Sequence, residues 1–437
     1  PLRSALPFKL TASQENAIAE ISGDMASPEK MIRLLQGDVG SGKTVVALMA
    51  MAQAAENGFQ SALMAPTEVL ARQHFAALEP VARTAGMRLA ILTGREKGKE
   101  RQPILQGLSD GSIHAVVGTH ALFQDAVEYQ KLGLAIVDEQ HRFGVHQRLA
   151  LSSKGEAADL LVMTATPIPR TLVLTAFGDM DVSKLTGKPA GRQPIKTVSL
   201  PFERMEEVIE RIGAALSASK KAYWICPLVE ETEETDATAA LDRYRDLQDR
   251  FGDRVALVHG RLSGPEKDAA MASFKSGQTR ILVATTVVEV GVDVPDATIM
   301  VIEHAERFGL SQLHQLRGRI GRGSEASVCL LLYRGPLGET AKKRIEIMRE
   351  TEDGFRIAEE DLKLRGEGEI LGTRQSGTPG FRIASLSDHV DLLEAARADS
   401  RLILETDPEL KKPRGEALRL LLYLFEKDQA IRLLAAG

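Results

Sequence analysis

Cysteine is scarce: Cys226 and Cys329 are the only two in 437 residues, each inside an apolar, strand-like run, AYWICPLV and SVCLLLY. That scarcity excludes a disulfide framework and a cysteine-ligated zinc site, and it fits two core thiols in a reducing cytoplasm. No run of about 18 apolar residues occurs, so no helical membrane span is readable. Low-complexity tracts are missing as well, and 43% hydrophobic with 26% charged residues is the balance of a globular chain. Positive charge is not in excess: 55 Lys and Arg against 60 Asp and Glu leave a net charge of −5. A chain that is basic all over is thereby excluded, but a single positive track is not. The chain also begins without methionine, and PLRSALPFKL is no signal peptide, so Pro1 reads as the edge of a truncated or processed chain.

What the sequence does contain is alternation. Short β-branched and apolar runs alternate with helix-length amphipathic stretches, as in βαβ units around a parallel sheet. The first series is Ser61–Ala65, Leu89–Thr93, Ala115–Gly118, Leu134–Asp138 and Leu160–Thr164. The Gly- and Pro-rich TGKPAGRQP, Thr186–Pro194, then reads as a linker. A second series follows: Ala222–Pro227, Val255–His259, Arg280–Thr285, Thr298–Glu303 and Ser327–Tyr333. After about Pro336 the pattern is helical, with a turn at Asp353–Gly354 and Gly366 placed to end the second helix. The fold class is α/β: two tandem parallel-sheet domains followed by a helical C-terminal region.

Three motifs carry chemistry. GDVGSGKT, Gly37–Thr44, is a P-loop of the form GxxxxGK(S/T) between the apolar MIRLLQ and the helical VVALMAMAQAA. Gly37, Asp38, Val39, Gly40, Ser41 and Gly42 would wrap backbone N–H groups around phosphates at a helix N-terminus. Lys43 would neutralise β/γ-phosphate charge, and the Thr44 hydroxyl would ligate Mg²⁺ of a bound ATP. DEQH, Asp138–His141, ends the strand LGLAIV, where a carboxylate points into the ligand crevice of a parallel sheet. Asp138 is the second Mg²⁺ partner, and Glu139 can orient and deprotonate an attacking water. QLHQLRGRIGRG, Gln312–Gly323, spaces Arg317, Arg319 and Arg322 along a helix and its end, which suits charge accumulating in phosphoryl transfer. A solvated basic face is the plainer reading of an isolated RxxR. Here the flanking glycines are poor helix formers, so something other than helicity selected them.

In that order the three motifs resemble superfamily 2 helicases, and the resemblance runs from Phe8 to Gly323. It implies two RecA-like lobes, residues 1–190 and 191–336, with 337–437 as hairpin, translocation loop and C-terminal helices. It further implies that Phe8 of FKLTASQ stacks near the adenine and Gln14 reads its edge. APTEVLARQH, LTGREK and GTHAL look like nucleic-acid-facing motifs, which assigns Thr67, Arg72 and Thr119 to DNA. His141, with Thr164 and Thr166 of TATPIPRT, joins the coupling of hydrolysis to movement. His259 of VHGRL and Thr285 of ATTVVEVGVDVP belong to the second-lobe track. Gln315, Arg319 and Arg322 become cleft and γ-phosphate contacts. Taken singly, Thr164 and Thr166 could cap a helix and His259 could be a satisfied strand-end histidine; shared order and spacing carry the assignment.

LLQGDVGSGKTVVALMA, VDEQHRFGVHQR, MTATPIPRTL and VVEVGVDVP resemble the RecG family of branched-DNA translocases. The motor of the transcription–repair coupling factor is close, but DEQH and Ser41 favour RecG. DGFRIAEEDLKLRGEGEILGTRQSG, Asp353–Gly377, resembles the translocation motif both share. Phe355, Ala358 and Leu362 fall on one helical face, read as apolar packing. Arg374 and Gln375, in the glycine-rich loop that follows, are the residues chosen to touch duplex DNA. KKPRGEALRLLLYLF reads as an amphipathic packing helix. The resemblance implies an ATP- and Mg²⁺-dependent motor on double-stranded and branched DNA, monomeric, cytoplasmic and nucleoid-associated in a bacterium, with single-stranded-DNA-binding protein as a partner. A coupling-factor motor and a catalytically silent nucleotide-dependent binding module stay open as alternatives. With the adenine motif at Phe8, no room remains for the wedge domain that RecG proteins carry before it, so the motor alone is expected. The expected outcome is ATP hydrolysis with poor handling of forks; efficient regression of a model fork by these 437 residues would contradict it.

Overall fold

The computed structural model describes residues 2–138, 158–165, 167–169, 180–187, 193–227, 233–285, 294–323, 325–365 and 389–425. The chain divides into two compact units, Pro1–Pro167 with Met180–Leu364, and Ile168–Asp179 with Arg365–Gly437.

The first unit holds two parallel sheets. One runs in the order β3-β4-β2-β5-β6-β1-β7, built from β1 (Ile32–Gly37), β2 (Gln60–Met64), β3 (Leu89–Leu92), β4 (Ala115–Gly118), β5 (Leu132–Asp138), β6 (Asp159–Thr164) and β7 (Asp181–Leu185). The other runs β10-β11-β9-β12-β13-β8, from β8 (Ile195–Pro201), β9 (Lys221–Ile225), β10 (Val255–Val258), β11 (Ile281–Ala284), β12 (Ala297–Ile302) and β13 (Ser327–Tyr333). Every pairing is parallel. Central strands such as β2, β4, β9 and β11 are buried along their whole length, because parallel strands carry helices on both faces. Alternate residues therefore enter separate cores. Leu63, Leu134 and Ile136 pack with α2 (Ala12–Met25), α3 (Lys43–Glu56) and α4 (Glu68–Thr84), while Met64, Ala135 and Val137 face Leu108 of α5 (Arg101–Ser109).

The ten strands listed from the sequence are all present, with ends shifted by no more than two residues. Three are additional: β1, the apolar MIRLLQ run before the P-loop, and β7 and β8 on either side of the expected linker. The last two lie at sheet edges and expose polar positions, so DVSKL and IKTVSLP lack the apolar signature of central strands. The second sheet carries α6 (Met205–Ser217), α7 (Glu233–Phe251), α8 (Gly264–Ser276) and α9 (Leu310–Arg317). Its Trp224, the chain's single tryptophan, is fully buried and donates to Glu303 Oε1 at 2.5 Å; Arg243 donates to the same carboxylate. Cys226 and Cys329 are buried free thiols, as expected; burial pushes Cys329 up to about 12 and Cys226 well above its ordinary value.

α10 (Glu339–Glu350) and α11 (Gly354–Arg365) are the two helices on either side of the Asp353–Gly354 turn, and Asp353 caps α11 by accepting from Phe355 N at 2.9 Å. Ala358 and Leu362 are buried, with Phe355 half-buried at the edge of that face. Gly366 lies outside the described residues. The second unit contains α12 (Val390–Thr406) and α13 (Pro413–Leu424), joined where the Asp407 carboxylate accepts from Lys411 N and Lys412 N. α13 is the helix read from KKPRGEALRLLLYLF, but Leu420, Leu421 and Leu424 are exposed, so its apolar residues are not the buried stripe expected. No described helix is long and apolar enough to cross a membrane.

Gly118 ends β4 where a Cβ would stand 2.0 Å from the Leu92 carbonyl oxygen of β3. Gly118→Ala is expected to cost about 1–3 kcal/mol of stability through forced separation of that strand pair. A urea melt with an unshifted midpoint would contradict this.

Candidate functional site

Because all strands of a sheet run the same way, their carboxyl ends collect the sequence-assigned residues on one edge. β1 delivers Gly37, β5 Asp138 and β6 Thr164; Thr67 and Thr119 follow β2 and β4, and His259 and Thr285 follow β10 and β11.

The P-loop joins β1 to α3. Gly40 (φ 76°) and Gly42 (φ 89°) occupy the left-handed region, which a Cβ disfavours. Gly42 also caps α3 and brings no side chain to the helix's N-terminal turn, where the helix dipole favours an anion. Ser41 Oγ is buried and has no hydrogen-bond partner among the described residues. Lys43 Nζ meanwhile rests on the loop itself, donating to Gly37 O at 2.6 Å and Asp38 O at 3.0 Å. A helix N-terminus, an orphaned hydroxyl and a buried ammonium are a set fitted to phosphates, and Thr44 stands half-buried in the first turn of α3. Gln14 is mostly spoken for: its Oε1 accepts from Thr11 N at 2.9 Å, and its Nε2 donates to Ser41 O at 2.8 Å, bracing the loop. Phe8 is 53% exposed.

Asp138 Oδ2 lies 2.7 Å from His74 Nε2, with both side chains largely buried. Glu139, His141, Thr166, Arg374 and Gln375 lie outside the described residues. Thr164 is wholly buried beside Gln36, whose buried amide has no partner among the described residues.

Of the described residues assigned to DNA, Thr67 and Arg72 have side-chain partners within their own lobe, and the rest are buried. Thr67 caps α4 by accepting from Leu70 N at 3.3 Å. Arg72 pairs with Glu96, which also accepts from Thr93 N and Oγ1 at 2.6 and 2.7 Å. Burial raises the Glu96 carboxyl, but Thr93 and Arg72 outweigh it and hold the group below its ordinary range. Thr119 and Thr285 are buried. His259 is buried as well, and that burial, with Lys267 and Arg261 nearby, lowers its pKa.

In the second lobe α9 ends at Arg317, and the three arginines part company. Arg317 is 2% exposed and donates from Nη1 to Met348 O at 2.6 Å and to Thr197 Oγ1 at 3.2 Å, and it lines a small cavity with Asp38, Val39 and His314. Its guanidinium is thus held within the second lobe, whereas the sequence grouped it with the phosphate cations. Gln315, Arg319 and Arg322 are half-buried, and Arg322 Nε donates to Gly318 O at 3.3 Å. This segment lies directly over the P-loop, since a Cβ on Gly318 would stand 2.9 Å from Val39 Cβ. His314, which the sequence did not single out, reaches Asp38 Oδ1 at 3.2 Å, and Gly354 N donates to Asp38 Oδ2 at 3.3 Å. Burial raises the Asp38 carboxyl, but His314, Gly354 and Lys43 together leave it below its ordinary value. His74 was missed too; both histidines lie inside quoted motifs, but their direction is not a property of spacing.

Residues 11–174 match the DEAD/DEAH box helicase family, 203–324 the helicase conserved C-terminal domain, and 351–430 the C-terminal part of domain 3 of the ATP-dependent DNA helicase RecG. The chain is 49% identical to the ATP-dependent DNA helicase RecG of Bacillus subtilis over 417 residues, 95% of this chain and 61% of that protein. It is 48% identical to that of Escherichia coli K12, over 94% of this chain and 60% of that protein. The chain thus spans about three fifths of the length of these curated relatives. Among solved structures, RecG bound to a three-way DNA junction matches with a TM-score of 0.74 and 44% identity, covering 90% of this chain and 51% of that one. Yeast Dbp5 bound to RNA and ADP BeF3 matches at 0.59 with 16% identity, covering 91% and 95%, a likeness of fold alone.

Lys43→Ala removes the one ammonium inside the P-loop and is expected to cut ATP hydrolysis by roughly 10²-fold or more. Wild-type turnover in a phosphate-release assay on this variant would remove the P-loop from the site.

Proposed function

We propose that this chain, which belongs to the RecG family of helicases, is an ATP-hydrolysing motor that moves along double-stranded and branched DNA. The carrying observation is the P-loop: a left-handed glycine turn at a helix N-terminus and a buried Lys43, with the Gly318 end of the second lobe's arginine helix packed on Val39.

In this reading the N-terminus of α3 and Lys43 cradle the phosphates, and Lys43 leaves the Gly37 and Asp38 carbonyls to do so. Thr44 and Asp138 would hold Mg²⁺, which would supply neutralisation of phosphate charge. His74 fixes the Asp138 carboxylate, and Gln14 fixes the loop through Ser41 O. Glu139, outside the described residues, takes the water-activating role the resemblance implies. Arg319 and Arg322 sense the γ-phosphate across the cleft, where two guanidinium groups suit its oxygens. Thr67, Arg72, Thr119, His259 and Thr285 shape the DNA-facing loops through their contacts within each lobe, while Arg374 and Gln375, also outside the described residues, belong to the translocation loop. DNA contacts fall mainly on phosphates, so binding is salt-sensitive and little dependent on sequence.

The test is steady-state ATP hydrolysis without DNA, with single strands, with linear duplex and with a model fork, at two salt concentrations. Stimulation by duplex and fork that fades at high salt is expected. Stimulation by single strands alone, or by RNA, would overturn the duplex-DNA reading.

A further inference from the structure

Asp38 makes two kinds of bond at once. Its backbone carbonyl accepts from the P-loop lysine, Lys43 Nζ, at 3.0 Å. Its carboxylate leaves the loop: Oδ1 meets His314 Nε2 at 3.2 Å on α9, and Oδ2 accepts from Gly354 N at 3.3 Å, the first residue of α11. The hydrogens on His314 follow from its other neighbour. Arg317 Nη2 lies 3.1 Å from His314 Nδ1, and a guanidinium only donates, so Nδ1 accepts and Nε2 carries the hydrogen given to Asp38. Arg317 then donates to Met348 O in the last turn of α10. One carboxylate is thereby connected to both helices of the hairpin, to α11 directly and to α10 through His314 and Arg317.

The packing admits this contact only because glycine stands opposite. A Cβ on Gly354 would lie 1.8 Å from Asp38 Oδ1 and 2.7 Å from His314 Nε2. The backbone of the hairpin thus rests against the P-loop itself. A P-loop residue needs no side-chain carboxylate to bind phosphate; negative charge there opposes it. Asp38 therefore does something other than hold the nucleotide.

We infer that Asp38 is a positioning residue that transmits the occupancy of the P-loop to the α10–α11 hairpin, with His314 and Gly354 as its receivers. Resting on the ATPase reading above, the relay works as follows. With Lys43 bound to the Asp38 carbonyl, the loop is held and its carboxylate pins Gly354. When Lys43 turns to phosphate, one of the two bonds on the Asp38 carbonyl is lost and Ser41 N, at 3.0 Å, alone holds it; the carboxylate shifts, and the start of α11 is released.

Hydrogen exchange of the peptide 351–357 tests this on the whole chain, with and without a non-hydrolysable ATP analogue, beside a titration with a fluorescent ATP derivative. Nucleotide is expected to speed exchange of the Gly354 amide about tenfold, the scale of one lost bond to a charged acceptor. In Asp38→Ala the amide should exchange fast in both states. His314→Ala should weaken the nucleotide response, and His314→Gln, whose amide also donates, should restore it. Wild-type protection and nucleotide response in a folded Asp38→Ala would overturn the relay alone. Failure of the wild-type chain to bind the fluorescent nucleotide would overturn the ATPase reading with it.

Discussion

Parallel strand direction is the constraint on which the rest of the molecule depends. Adjacent parallel strands need a crossover helix between them, so both faces of each sheet are covered and the central strands must be apolar. The same direction sends the loops after β1, β2, β4, β5 and β6 out along one edge. Polar groups gathered there are held against a stiff base, which is why short loops suffice to set Lys43, Asp138 and Thr164 close together.

Along that edge the polar side chains satisfy one another. Arg72 is held by Glu96, and Arg95 lies between Glu68 of its own lobe and Asp268 of the second, at 2.8 Å from each. The half-exposed Arg95 pairs contribute about 0–1 kcal/mol and are screened by salt. They set side-chain direction at little cost and give way readily to a competing anion. The buried contacts are of another kind. Arg317, enclosed between β8 and α10, cannot exchange partners without disturbing the core around it.

Much of this was legible in the sequence, for physical reasons that also mark where legibility stops. Central strands announce themselves because full burial demands unbroken apolar runs, and the P-loop does so because its backbone demands glycine. β7 and β8 escaped notice because an edge strand is half-covered and its polar residues look like loop. Side-chain direction was the harder problem. Gln315 and His314 are neighbours, yet only where α9 ends and what it packs against decide that His314 meets Asp38. Arg317 and Arg319 are two residues apart, and the end of the helix at Arg317 separates a core side chain from half-buried ones. Gln14, likewise, reads from its motif as a base contact, whereas the fold engages its amide with Thr11 and Ser41.

The placement of Trp224 has an optical consequence. A lone indole gives the chain one dominant emitter, and here that emitter is sealed in β9, bonded to Glu303 and lying 5.7 Å from the Arg243 guanidinium. Its spectrum is therefore a gauge of one lobe: it reddens when water enters the second sheet and stays blind to events confined to the first. Without any label, light alone separates the melting of one lobe from that of the other.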